Sequence, residues 1–436
     1  MGLDKQEMKQ AVCAAIDKRK GQIISIGQDI YAHPELGYKE TRTAAIVQRA
    51  FEELGFDYQK GLARTGLRAD LKGGADGPKL AVMGELDAVV CPKHPNADPK
   101  TGAAHSCGHN GQIAAMLGVA MALHDTDVLK ELSGSVALFA VPAEEAVEIE
   151  WRKGLMDSGE IRFIGGKQEM IARGCFDDVD LSMMVHQTAG PNVLTGGTCN
   201  GFVAKYVHYI GKEAHAGGAP HEGINALSAA RLGLAAIDAQ RETFRDEDAI
   251  RVHPIINKGG DLVNVIPADV RMETYVRGKT MPAVLDASRK VDRALQAGAF
   301  AMGAKVDIST LPGYMPRIEC PPMDEAFAAN AVALVGPERV EKEGHGAGST
   351  DFGDITHIMP GIHCYVGGAE GPAHSSDYRI TDPELFYVTA AKLMAMTVID
   401  LLCDGAALAK RTLTEIRPPY ADKEAYLAAW KELAGV

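Results

Sequence analysis

Cys107, His109, Glu144, Glu145, His186 and His374 are the residues of this chain whose types and order could do chemistry. Thiolate, imidazole and carboxylate are the ligand types that zinc, manganese and cobalt accept, and a carboxylate beside a ligating one is free to act as a general base. Cys107 and His109 stand two residues apart ahead of a run of small residues and can meet at one metal centre. Glu144 and Glu145 end an apolar run of strand character, so their side chains point apart, one toward a metal and the other toward a substrate. In Gly84-Glu85-Leu86-Asp87-Ala88 two carboxylates face the same way, as a pair that orients a ligand or as a solvated turn. Together these groups point to metal-assisted hydrolysis, with divalent Mn, Zn or Co, one or two per subunit, as the cofactor.

The elements that must position them follow from hydrophobic period. Residues 5–56 read as two helices, the second over 41–54, joined by the turn-rich His33-Pro34-Glu35-Leu36-Gly37. Short apolar runs at 67–71, 79–84, 135–141 and 180–185 have strand length and alternate with helical stretches such as 114–123. Strands alternating with helices predict an α/β fold with a sheet flanked by helices, and its ligands gather at the carboxyl ends of the strands. Glu85, Glu144, Glu145 and His186 all fall there. From Gly201 the pattern changes to strand 202–210, helix 224–240, strands 250–257 and 270–277, helix 281–302 and strand 305–310, a ferredoxin-like βαββαβ order. The expected organisation is therefore a catalytic domain of 1–199 and 312–436 interrupted by an inserted domain of 200–311.

The chain has 436 residues, 46% of them hydrophobic, enough for two cores. Its 45 basic and 58 acidic residues give a net charge of −13, which argues against nucleic acid or an anionic membrane as partner and leaves small molecules. No uninterrupted apolar run approaches the ~18 residues of a membrane span, and residues 1–20 read as a charged amphipathic helix; the expected location is the cytoplasm. Eight cysteines without a secreted-framework spacing read as reduced thiols, with Cys107 as the functional exception.

The ordered series GELDA, HSCGHN, VPAEE, MMVH, GKEAHAGGAPHEGINAL, GGDLVNVIPAD, GSTDFGD and GPAHSSD resembles the aminoacylase and carboxypeptidase G family of dinuclear metallohydrolases. More narrowly, it is similar to the branch of auxin-conjugate and aminobenzoyl-glutamate hydrolases. The resemblance implies a metallopeptidase-like catalytic domain and a homodimer formed through the inserted domain. It implies Cys107 as a metal-bridging ligand, His109 and Glu145 completing one site, His186 and His374 the other, and Asp87 orienting a ligand. Glu144 would be the general base that deprotonates the attacking water and passes the proton to the leaving nitrogen. Glu85 stands where distant relatives have a ligand histidine. His215 would reach across the dimer to an oxyanion, with Asn264 as its partner, and Ser349, Thr350 and Asp351 would lie near the substrate. The resemblance extends to hydrolytic deamination of nitroanthranilate, so the bond cleaved is a C–N bond of an amide or of an activated aromatic amine.

Two departures bear on the substrate. Where many relatives carry glycines after the Glu-Glu pair, this chain has Ala146-Val147-Glu148-Ile149-Glu150-Trp151-Arg152, which either narrows the pocket or repacks a surface loop. Trp151 and Arg152 are candidates for recognising an aromatic carboxylate, and Arg317 is either a carboxylate anchor or a surface arginine. Residues 91–100 read as a surface loop in which Cys91 and His94 have ligand-like spacing.

Overall fold

A computed structural model describes residues 3–434. The apolar runs pair into one mixed nine-stranded sheet. At its centre Ser133–Val141, Ala75–Glu85, Leu181–Ala189 and Gly361–Glu370 run parallel in that order. Gly66–Lys72 and Tyr58–Leu62 add antiparallel strands on one side. The central strands are buried on both faces, as parallel strands covered by helices must be. Along Ala75–Glu85, Leu80 and Val82 join one core while Ala81 and Met83 join the other. The first core is covered by helices Lys5–Ala32, His109–Asp125 and Ala390–Leu402, the second by Gly166–Ala172 and Lys423–Ala434. The stretch Glu384–Leu402 is long and apolar enough to cross a membrane by composition, yet here it is a core helix packed on Lys5–Ala32 and His109–Asp125.

Residues 201–314 form a separate four-stranded antiparallel sheet in the order Arg251–Lys258, Asp269–Gly278, Gly201–Ile210, Lys305–Tyr314, backed by helices Ala226–Gln240 and Met281–Met302. The last strand runs four residues past the expected end at 310 because its pairing with Gly201–Ile210 continues to Phe202 opposite Tyr314. That continuation crosses the expected boundary at 311 and delivers Tyr314 to the active-site region. The outer edge of Arg251–Lys258 has no partner strand among the described residues.

A buried ion cluster ties three segments together beneath the sheet's carboxyl edge. Lys167 at the start of Gly166–Ala172 is fully buried and its ammonium contacts both Glu85, at the end of Ala75–Glu85, and Asp351, at the start of Phe352–Thr356. Gln112 Nε2 donates to the second Glu85 oxygen at 2.6 Å, and the Lys167 main-chain N–H donates to Asp351 at 2.9 Å. Removing one partner of a buried ion pair typically costs about 3–5 kcal/mol, because the charge left behind is uncompensated. Lys167→Met is therefore expected to lower the urea midpoint strongly, and an unchanged midpoint would show that Glu85 and Asp351 are not held as carboxylates by this lysine.

Candidate metal centre and active-site cavity

The turn from strand Ser133–Val141 into the Glu-Glu pair is sharp. Ala143 has φ +54°, a conformation that costs a non-glycine residue about 1–3 kcal/mol and persists only where surroundings enforce it. Here Glu40 accepts from the Ala143 N–H at 2.7 Å, and Gly166 donates to the Ala143 carbonyl at 3.0 Å. His374 also has positive φ, +60°, and its N–H donates to the Ser106 carbonyl at 2.8 Å, which ties the loop of one ligand to that of another. Helix His109–Asp125 begins directly after Gly108, whose φ of +105° turns the chain so that Cys107 and His109 flank the same space.

These segments bring the expected ligand atoms together. Cys107 Sγ lies 3.5 Å from His186 Nε2 and 3.3 Å from His374 Nε2, and His374 Nε2 lies 3.1 Å from Glu145 Oε1. Metal–ligand bonds of about 2.0–2.3 Å around a tetrahedral ion place ligand atoms roughly 3.3–3.7 Å apart, so the spacing fits. The donors fall into two groups that share Cys107: Cys107, His109 and His186, and Cys107, Glu145 and His374. This differs from the partition expected from the motifs, in which His109 went with Glu145 and His186 with His374, because strand Leu181–Ala189 carries the His186 ring against His109, edge-on at 5.4 Å. The polar neighbours of His109 Nε2 and Glu145 Oε1 are themselves metal-type groups, a Glu85 oxygen 3.1 Å from the first and His374 Nε2 3.1 Å from the second.

Second-layer contacts aim the ligands. His109 Nδ1 lies 2.9 Å from the Asp87 carbonyl and 3.3 Å from Asp87 Oδ1, while Asp87 Oδ2 accepts from the Glu145 N–H at 2.8 Å. His186 Nδ1 faces the Gln187 carbonyl at 2.7 Å, leaving Nε2 toward Cys107. Such contacts fix which ring nitrogen faces a metal. Glu85 forms a third grouping with His109 and Glu144, but both its oxygens are engaged by Lys167 and Gln112, so it serves the buried ion cluster rather than a metal.

The electrostatics separate the two glutamates. Burial pushes Glu144 well above the usual carboxylate range, and the charges of Glu85, Glu145 and Asp351 add to that. Burial acts the same way on Glu145, but the His374 charge and hydrogen bond hold it down at about 2. His374 is raised to about 11 by the Glu145 carboxylate and by its hydrogen bonds to Cys107 and Glu145. Burial and Glu145 oppose thiolate formation at Cys107, yet His109 and His186 bring it down to about 6.

The donors open on a cavity of about 430 Å³ shared by both sheets. Glu144, Glu145, Ser349 and Thr350 line it together with Phe202, Tyr275, Arg277 and Tyr314 of the smaller sheet. Tyr314 Oη donates to the Glu144 carbonyl and Tyr275 Oη to the Ala146 carbonyl, so the smaller sheet grips the segment that carries the glutamates. The Arg277 side chain makes no ion pair or hydrogen bond among the described residues, and its guanidinium lies 5.8 Å from the Phe202 ring and 5.5 Å from the Tyr275 ring. Nothing in its strand pattern marked it out, since alternating arginines are common on a half-exposed sheet face.

Several expectations change. Arg317 is not a surface arginine: it is buried, with Glu343 Oε2 at 2.9 Å, the Gly196 carbonyl at 3.2 Å and the His363 carbonyl taking its donors, which leaves little of its fork for a substrate carboxylate. Residues 149–157 form a helix rather than a loop; Ala146 and Val147 line the cavity, but Trp151 packs under Lys39 and Arg152 is buried beneath Tyr38, so neither lines it. Cys91 and His94 join no metal grouping among the described residues, because both His94 nitrogens are engaged, Nε2 with the Tyr378 carbonyl at 2.8 Å and Nδ1 with the Asn96 N–H at 3.1 Å. His215 and Asn264 are exposed and do not line the cavity within one subunit. The His215 backbone bridges to Val265 and the Asn264 carbonyl accepts from the Ala216 N–H at 3.0 Å, while His215 Nδ1 accepts from the Gly218 N–H at 2.9 Å, which leaves the hydrogen on Nε2.

Over residues 81–399 the chain matches the peptidase family M20/M25/M40. It belongs to that family. It is a metal-dependent amidohydrolase, and the resemblance read from its motifs holds at the level of the family. The chain is 29% identical to the Xaa-Arg dipeptidase of Mus musculus over 425 residues, 92% of this chain and 90% of that one. Among solved structures it resembles a dinuclear metal-binding peptidase of the M20 family from Bacillus subtilis, with TM-score 0.62 and 22% identity over 88% of this chain and 98% of the other. It also resembles an aminobenzoyl-glutamate utilization protein from Klebsiella pneumoniae, with TM-score 0.68 and 20% identity over 88% and 97%.

For this M20 hydrolase, a metal held by His374 would have to displace the proton that His374 shares with Glu145. A histidine raised from 6.5 to about 11 stabilises the metal-free protein fully below pH 6.5 and loses that contribution as pH climbs toward 11. Zinc affinity is accordingly expected to rise between about pH 6 and 8, with proton release on binding, read by calorimetry in buffers of different ionisation enthalpy. Binding without proton release would remove His374 from the ligand set.

Proposed function

We propose that this protein hydrolyses a C–N bond in a small carboxylate-bearing molecule, with an aromatic acid as the preferred substrate class. The observation that carries this is an unpaired Arg277 beside two mutually packed aromatic rings in the same cavity as Glu144 and most of the ligand donors. Cys107, His109 and His186 would hold one divalent metal and Cys107, Glu145 and His374 the other. When bound, the metals supply a water of lowered pKa and Lewis-acid polarisation. The Glu144 carboxylate, made more basic by burial than an exposed one, accepts the proton of the attacking water and delivers it to the leaving nitrogen. Arg277 binds the substrate carboxylate, and Phe202, Tyr275 and Tyr365 form apolar walls suited to a flat ring. Ser349 and Thr350 border the same space.

The chemistry divides on the electrophile. Attack on an amide carbon releases an amino acid; attack on an activated ring carbon releases ammonia. Ammonia and amino-acid release from aminobenzoates, nitroanthranilate and N-acyl amino acids, offered to manganese- and zinc-loaded protein, separate the two. Glu144→Gln is expected to keep its metals and lose turnover by roughly 10²–10⁴-fold. Arg277→Ala is expected to raise KM by roughly 10- to 100-fold for carboxylate substrates, the worth of a hydrogen bond to a charged group. Equal KM values in wild type and Arg277→Ala would remove the carboxylate anchor.

We further propose that two copies pair through the smaller sheet, acting as dimerisation and lid domain over residues 200–311. The free edge of Arg251–Lys258 presents Ile255 and Ile256, and the adjoining loop presents Leu262 and Val263, the last 99% exposed. An apolar sheet edge of this kind is a site for pairing. It adjoins Asn264 and His215, whose Nε2–H would serve the partner's cavity as an oxyanion donor. Val263→Asp is expected to yield a monomer by light scattering with turnover lost; a fully active monomer would sink both parts.

A further inference from the structure

His363 lines the cavity and has no part in the ligand set or the proton transfer derived above. It lies in strand Gly361–Glu370 and is buried, its ring 5.5 Å from His186 at 34° and 5.0 Å from Tyr365 at 65°. Arg317 Nη1 stands 3.1 Å from His363 Nδ1. A guanidinium has donors only, so Nδ1 must be the acceptor, and the ring's hydrogen sits on Nε2. That Nε2 is buried and has no hydrogen-bond partner among the described residues. Ser349 Oγ, on another residue lining the same cavity, is equally without one. Buried donors of this kind are paired in native proteins by protein, water or ligand.

The charge of this corner differs from that at Arg277. Arg317 is neutralised by Glu343 Oε2 at 2.9 Å; Nη1 and Nη2 also reach the His363 and Gly196 carbonyls, and Nε is left without a partner. His363 therefore offers a hydrogen bond without net positive charge, whereas Arg277 has no carboxylate partner. A site with one uncompensated cation and one uncharged donor suits a substrate with one carboxylate and one neutral acceptor oxygen.

We propose that His363, locked by Arg317 as its Nε2–H tautomer, is a substrate-binding residue that donates to an uncharged acceptor oxygen, nitro or carbonyl, of a substrate whose carboxylate is held by Arg277. Arg317 is the positioning residue in this pair, and the assignment rests on the aromatic-carboxylate reading of the same cavity.

The test uses the zinc-loaded Glu144→Gln protein, titrated by calorimetry with 2-aminobenzoates that carry nitro, acetyl, carboxylate or methyl at the carbon para to the amine. The nitro or acetyl compound is expected to bind at least about 10-fold tighter than the methyl compound, since a site built to hydrogen-bond rejects the analogue that lacks the acceptor. The added carboxylate should gain nothing over methyl. His363→Phe should level the series, and His363→Gln, which keeps an N–H donor, should restore part of the preference. A preference that survives in His363→Phe, or a carboxylate that binds best, overturns the proposal. ¹⁵N-histidine spectra of the zinc-loaded protein, with His363 assigned by its loss in His363→Gln, report the tautomer directly. A hydrogen on Nδ1 overturns the proposal whatever the variants do. If no aminobenzoate binds at all, the substrate class fails, and the spectrum still decides whether His363 presents its donor.

Discussion

The ammonium of Lys167 between Glu85 and Asp351 is the contact on which the site depends. It is fully buried, it joins the end of a central strand to two segments far away in sequence, and each of those three segments carries a working part. Glu85 stands behind His109, with an oxygen 3.1 Å from Nε2; Asp351 follows Ser349 and Thr350 of the cavity wall; Lys167 closes the long excursion that begins at Glu145. A buried lysine would ordinarily be driven toward its neutral form, but two carboxylates keep it charged. The excess negative charge of this cluster is felt next door at Glu144, where it reinforces burial in favouring the protonated form. A structural ion cluster thus also sets the character of the proposed base.

The two sheets divide the labour. The large sheet brings donors from four chain segments to its carboxyl edge, as open α/β sheets do with ligands. The small sheet adds the aromatic walls and Arg277, and holds the glutamate segment through Tyr275 and Tyr314. Helix Ile149–Asp157 strengthens that hold, since Glu150 accepts from Arg271 at 2.7 Å and from Tyr206 at 3.0 Å, both on the small sheet. Any rotation of one sheet against the other would move the carbonyls of Glu144 and Ala146, so substrate enclosure and placement of the glutamates are mechanically linked.

The proposed ligand set is a compromise between burial and charge. His374 is the most exposed of the metal-type residues, its side chain 50% accessible, while His109 is fully buried. The exposed member is the one that can release its proton to solvent when a cation arrives, and the buried one is already aimed by Asp87. Cys107 lies between them, low enough in pKa to be thiolate near neutrality.

Much was legible in the sequence. Period-2 and period-3.6 patterns located most large strands and helices as far as residue 310, because burial on one face or stripe imposes those periods whatever the surroundings; strand Gly361–Glu370 and helices Pro321–Val335, Ala390–Leu402 and Lys423–Ala434 were not placed. Residue chemistry singled out Cys107, His109, Glu144, Glu145, His186 and His374 and the reaction class, because few side chains can bind a divalent metal. The tertiary structure alone decided how those ligands group, that Glu85 serves Lys167 instead of a metal, and that Trp151 and Arg152 lie outside the cavity. It alone made Arg277 and Arg317 opposites, one unpaired and one neutralised, and placed His363 beside His186. Pairings of this kind depend on distances between strands whose order in the sheet differs from their order in the chain, and no local pattern encodes them.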